Sequence, residues 1–131
     1  MRSAPHTDIA LLRLNSPVEQ PSAFPSFTTR ARPLAPTVTF GFGGRAEHPH
    51  ARAGRYLGSL PLAASRGLHT VVRPAGFTFN ASPVIKGDSG GPVLIDAHVV
   101  AVQSLILNPL GTNMRVATVS LVSPELLAGL R

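Results

Sequence analysis

Cysteine is absent from the 131 residues, which excludes a disulfide framework and any cysteine-based metal site and leaves the redox compartment unread. The fold must therefore hold by packing. Aromatic residues are also scarce, at 5%, and charged residues make up only 14% of the chain. Although 12 Lys+Arg against 6 Asp+Glu give a formal charge of +6, the arginines are scattered singly from Arg2 to Arg131. No basic stripe and no nucleic-acid motif accompanies them, so the charge reads as a basic exterior and nucleic acid is not an expected partner. No apolar run reaches the length of a membrane span, because Asp96, His98, Gln103 and Ser104 interrupt the best candidate. A soluble chain without membrane contact is expected. The opening "MRSAPHTD" holds an arginine but no apolar h-region, so it is not a secretory signal.

What is present is a hydrophobic share of 44% in a chain of single-domain length, enough for a real core. "DIALLRL", from Asp8 to Leu14, reads as a short buried strand. Between Asn15 and Pro36 prolines recur among Ser and Thr, which removes backbone donors and marks a connecting segment. "TVTFGFGG" predicts a strand ending in glycines, and "RAEHPHARAG" a polar, exposed loop. "YLGSLPLA", "LHTVVRP" and "FTFN" are further short strands separated by Gly, Pro and Ser. "PVLIDAHVVAVQSLIL" is a hairpin about Asp96 to His98. "MRVATVSL" is a last strand, after which Ser123 can cap a terminal helix that opens on Pro124. The expected class is all-β, a barrel or sandwich with one short C-terminal helix.

The stretch "KGDSGGPVL", Lys86 to Leu94, sets a serine between glycines. Glycine reaches backbone angles that a Cβ forbids, so the chain bends sharply and leaves the Ser89 hydroxyl and neighbouring N–H groups exposed. A generic Gly-Ser-Gly triplet is an ordinary tight loop in most proteins. Gly-Asp-Ser-Gly-Gly-Pro, by average residue usage, arises by chance on the order of 10⁻⁷ to 10⁻⁸ per position, which makes coincidence a poor explanation.

With "DIALLRL" upstream and a hairpin following, this stretch resembles the chymotrypsin/trypsin-like serine peptidases, in particular cysteine-free bacterial members. "TVTFGFGG" is similar to the family's Val-Thr-Gly-Trp-Gly segment with Phe42 in place of Trp, "VVAVQS" to its cleft-lining strand, and "MRVATVSLVSPELLAGLR" to its closing strand and helix. The resemblance implies a partial peptidase domain lacking most of the first barrel. Residues 1–14 would be the remnant of that barrel, 15–36 the inter-barrel connection, and 37–131 the second barrel with its helix. It implies a serine endopeptidase acting on polypeptide substrates, without cofactor or metal, secreted or periplasmic. Ser89 would be the nucleophile, Asp8 the triad acid, and the N–H groups of Gly87 and Ser89 the oxyanion hole. Pro83, Val84, Ile85, Lys86, Ser104, Leu105 and Ile106 would contact substrate. Pro83 stands where trypsin-like members carry a pocket-floor aspartate, so nothing selects a basic side chain. Val84 and Ile85 imply an apolar pocket, and Ile106, two after Ser104, would narrow or block it.

The family's chain order is His, Asp, Ser, and only seven residues precede Asp8. His6, two residues before it, is poorly spaced for the role. His98 falls at a hairpin turn some 13 Å or more from Ser89 by strand rise. His48 and His50 are weighed as a two-ligand metal site and read as exposed loop, and His69 as an ordinary strand residue. The imidazole is expected from an upstream segment or a second chain. The alternative is a catalytically inactive remnant that serves as a binding module. Asp88, which in many members pairs with a new N-terminal ammonium and in some bacterial ones with an arginine, has Arg115 as its candidate partner here.

Overall fold

A computed structural model describes residues 2–3, 8–19, 25–65, 69–106 and 114–129. Six antiparallel strands close into a barrel: β3 (Pro36–Gly41), β4 (His50–Leu60), β7 (Ala75–Asn80), β8 (Pro92–Ile95), β9 (His98–Ile106) and β10 (Val116–Leu121), in the order β10-β7-β4-β3-β8-β9. Two small ribbons lie outside it, β1 (Arg2–Ser3) with β2 (Ala10–Leu11), and β5 (Ala63–Ala64) with β6 (Val71–Val72). One short helix, α1 (Pro124–Gly129), ends the described chain. This is the all-β, trypsin-like barrel with a terminal helix that the sequence predicts.

Closure follows from alternation along the strands. Val93 and Ile95 of β8, Tyr56 of β4, Val100 and Ala101 of β9 and Val119 of β10 are buried and form one apolar cluster with Ala35. Burial pushes the Tyr56 phenol above its ordinary pKa, and a hydrogen bond with Ser59 partly offsets that rise. The β8–β9 hairpin turns on Asp96 and Ala97, both at positive φ (50° and 63°), the pair of left-handed residues that a two-residue turn between twisted strands demands. His98 therefore opens β9 and does not sit in the turn.

Two sequence readings shift. The loop assigned to "RAEHPHARAG" is shorter, because β4 begins at His50 and pairs with β3 from Gly41 back to Pro36; cross-strand pairing there overrides the polar composition. The strand assigned to Asp8–Leu14 contracts to Ala10–Leu11, with Leu12 and Leu14 exposed at 69% and 62%. Ile9 is buried with Val122 and Leu126 of the C-terminal segment, and Leu11, Leu127 and Val102 of β9 pack on the same cluster. The helix that receives it starts as expected. The Ser123 hydroxyl accepts a bond from the Leu126 N–H at 3.2 Å, and Pro124 occupies the first turn, where its missing donor costs nothing. The Glu125 carboxyl is held below its ordinary pKa, first by its own backbone N–H and then by the Ser123 hydroxyl.

This cluster anchors the chain immediately after Asp8. Leu126→Ala is expected to destabilise the fold by about 2 to 3 kcal/mol, the low end for a buried leucine because α1 is short and peripheral. It should also release residues 8–11, read as faster amide exchange at Ile9 and Ala10.

Candidate active site

The loop joining β7 to β8 carries residues 83–91 and is built around the Asp88 carboxylate. Asp88 is 1% exposed. One oxygen accepts from the Ile85 N–H at 2.9 Å, and the other from the Gly43 N–H at 2.8 Å and from Arg52 Nη1 at 3.2 Å. Arg52, itself buried on β4, also donates from Nε to the Pro83 carbonyl at 3.1 Å. One ion pair thus ties β4, the end of β3 and both arms of the loop together. The arginine at Asp88 is Arg52; Arg115, the sequence candidate, donates to the Ala81 carbonyl. Arg52 faces Thr39 across the β3–β4 ladder, and only a strand register, which the sequence does not state, reveals that it points inward.

Small residues make this packing possible. A Cβ on Gly41 or Gly43 would fall 2.3 or 2.6 Å from Asp88 Oδ1, which explains why "FGFGG" precedes the loop. Gly87 has φ of +103°, a conformation that side chains rarely adopt. It turns the backbone so that Asp88 points in while Ser89 stays exposed. Gly91 lies where a Cβ would meet the Phe40 carbonyl oxygen at 1.9 Å. Gly91→Ala is therefore expected to cost about 1 to 3 kcal/mol by overpacking against rigid backbone, seen as a lowered thermal midpoint.

Beyond the turn the loop is stitched to β9. The Gly90 N–H donates to the Gln103 carbonyl at 2.9 Å, and the Gln103 N–H to the Gly91 carbonyl at 2.8 Å. This brings Ser89 against Ser104, whose carbonyl accepts from the Ser89 hydroxyl at 3.1 Å. The Ser104 hydroxyl in turn donates to the Asp8 carboxylate. Ser89, Ser104 and Asp8, read from three distant stretches of sequence, thus form one connected line. Neither the Gly87 N–H nor the Ser89 N–H has a hydrogen-bond partner among the described residues. A backbone carbonyl can orient the Ser89 hydroxyl but cannot take its proton, and no imidazole stands between Ser89 and Asp8 among the described residues.

The described histidines do not fill that place. His48, His50, His69 and His98 are all exposed. His98 lies on the strand of Ser104 but six residues away, about 20 Å at the usual rise. His6 lies outside the described residues.

Of the other residues assigned to substrate, Pro83, Ile85 and Lys86 are exposed, Val84 is buried, and Ser104 and Leu105 are half-buried on β9. Ile106 ends β9, and its side chain lies outside the described residues. Ile85 leans toward Gly43 and Gly44, to judge from the space beside them. A cavity of about 300 Å³ adjoins Ser89, and sequence reasoning did not anticipate its walls: Phe40, Phe42 and Pro92 close it against the Gly87–Gly91 backbone.

No protein-family model matches the chain, and no curated protein matches it. Among solved structures it is similar to the Rv3671c protease in its inactive form, with a TM-score of 0.62 and 20% identity over 81% of this chain and 52% of that one. It is likewise similar to the active form of the Rv3671c protease from M. tuberculosis, with a TM-score of 0.60 and 20% identity over 80% of this chain and 45% of that one. At this identity the likeness shows the fold. The chain spans about half the length of the solved structures it matches.

Proposed function

We propose that this chain carries the nucleophile half of a serine endopeptidase site. The observation that carries the reading is the line Ser89–Ser104–Asp8 beside two unengaged N–H groups. Serine is a weak nucleophile until an adjacent base takes its proton. With an imidazole between Ser89 and Asp8, the proton passes to the ring as Oγ attacks a peptide carbonyl, and Asp8 steadies the imidazolium. The carbonyl oxygen, now an anion, is met by the N–H groups of Gly87 and Ser89, donors worth roughly 3 to 4 kcal/mol each in related sites. Collapse expels the amine, which takes the proton back from the ring, and water then releases the acyl group by the same steps reversed in role. A polypeptide substrate would run along the Ser104 strand, and with Pro83 in place of an acid it would present a small or apolar side chain.

The imidazole comes from outside the described residues. A second reading, a binding module that keeps the cleft without the chemistry, is favoured by one observation: the Ser89 hydroxyl is spent on a carbonyl.

Hydrolysis of a peptide panel with small, apolar and basic residues before the scissile bond, run with free imidazole, separates the two. Under the peptidase reading turnover appears with imidazole, prefers small or apolar residues and vanishes in Ser89→Ala. Under the binding reading peptides bind and stay intact.

A further inference from the structure

The barrel interior is not uniformly apolar. Residues opposite one another in a ladder share a face, and members of the apolar cluster have polar residues as their partners: Thr39 stands opposite Val93, Thr78 opposite Tyr56 and Gln103 opposite Val119. Thr37 and Asn80 flank Gly54 in one row. All of these polar residues are buried, none more than 3% exposed. Thr37 Oγ1, Thr39 Oγ1, Asn80 Oδ1 and both amide atoms of Gln103 have no hydrogen-bond partner among the described residues. An unpaired buried hydroxyl or amide is costly, and folded proteins satisfy nearly all such groups with protein or ordered water. Five such atoms, all on inward positions of one barrel, need a ligand they share.

We propose that water is bound inside the barrel beneath the 83–91 loop, bridging Thr37 to Asn80 and joining Thr39 and Gln103 to the same network. The chemistry of the atoms selects this ligand. They include donors and acceptors and carry no charge, and water both donates and accepts. A cation would meet the buried Arg52 guanidinium, which faces Thr39 across the ladder, and an anion would meet the Asp88 carboxylate that Arg52 holds. The geometry supplies the bridge. Thr37 Oγ1 and Asn80 Oδ1 each lie 3.0 Å from the place a Gly54 Cβ would take, so the two oxygens converge over a residue with no side chain to part them. Gln103 links the network to the loop above, because its own carbonyl and N–H bind Gly90 and Gly91. The inference stands apart from the role of Ser89: the loop that presents it rests on a hydrated floor whether or not the serine reacts.

Oxygen-17 relaxation dispersion of the solvent, which proton exchange with hydroxyls does not feed, tests the unaltered protein for long-lived internal water. Water-to-protein NOE spectra then place it. The expected results are a measurable dispersion and cross-peaks from water to the Thr37 and Thr39 methyls and the Gln103 side-chain amide, with the sign of water that tumbles with the protein. Thr37→Val and Thr39→Val replace a hydroxyl by a methyl of the same shape, and the sign of their effect separates a wet site from a dry one. A hydroxyl bonded to water is lost at a cost, so each variant should lower the thermal midpoint by about 2 to 6 °C and reduce the dispersion. A dry, unpaired hydroxyl is better removed, so an unchanged or raised midpoint in both variants would overturn the proposal. Absence of dispersion in the unaltered protein would overturn it too, even if neither variant folds. So would a midpoint that rises with sodium, potassium or calcium selectively at constant ionic strength, which would show an ion in place of water.

Discussion

Alone, the 131-residue chain is expected to hydrolyse peptides about a millionfold more slowly than the same chain completed by an imidazole held between Ser89 and Asp8. Where nucleophile and base act as a unit, removing the base costs about as much as removing the whole triad, near 10⁶ in kcat. What survives is the oxyanion hole and substrate binding, worth about 10³ to 10⁴ over water, and that is below most assays. Free imidazole recovers only a small part of the loss, because a tethered base enjoys an effective concentration that a solution cannot reach. A rise of about tenfold to a hundredfold at high imidazole is the expected scale, at or below the low end of the roughly 10² to 10⁴ that a positioned general base supplies. The rise should saturate with peptide and disappear in Ser89→Ala. Progress curves with and without imidazole, for both proteins, measure it.

Arg52→Met is expected to destabilise the fold by about 3 to 5 kcal/mol, the cost of leaving one partner of a buried ion pair uncompensated. Asp88 would remain buried with its Gly43 and Ile85 bonds but no counter-charge, and the Pro83 carbonyl would lose its donor. Urea unfolding followed by tryptophan-free probes such as far-UV dichroism gives the magnitude. Because Asp88 sits between Gly87 and Ser89, the loop should loosen before the barrel does. Amide exchange at Gly87 and Ser89 in the folded variant should therefore accelerate more than exchange at Val93 or Val119. Arg52→Lys restores the charge without the planar fork that reaches both Asp88 and Pro83, so it should recover part of the stability. Equal protection of the loop in Arg52→Met would show that the glycine turns hold it unaided.

Much of this was legible in the sequence because short motifs carry their geometry with them. The glycines around Ser89 dictate a sharp, exposed turn, and the two apolar runs of "PVLIDAHVVAV" about Asp96 to His98 specify a hairpin. Ser123 and Pro124 announce a helix start. What was not legible depends on register. Arg52 lies in a stretch whose composition says loop, and its place beside Asp88 follows only from Thr39 facing it across a ladder. Ile9 and Leu11 read as strand interior, yet they cluster with Val102 of β9, Val122 and the terminal helix, about a hundred residues on. Alternation is visible in "TVTFGFGG", but that Thr37 and Thr39 of β3 are the buried set while Val38 is exposed is a tertiary fact.

Whether Ser89 is a nucleophile that lacks only its base is decided by intact-mass analysis of fluorophosphonate labelling. The protein and its Ser89→Ala variant are incubated with the probe at increasing imidazole, and the adduct is mapped by peptide sequencing. Negligible adduct without imidazole, a single adduct on Ser89 that grows with imidazole, and none in the variant are the expected results. Labelling at full rate without imidazole would contradict this reading by showing a base within the chain, and no labelling at any imidazole concentration would contradict it by showing that Ser89 is not poised to react.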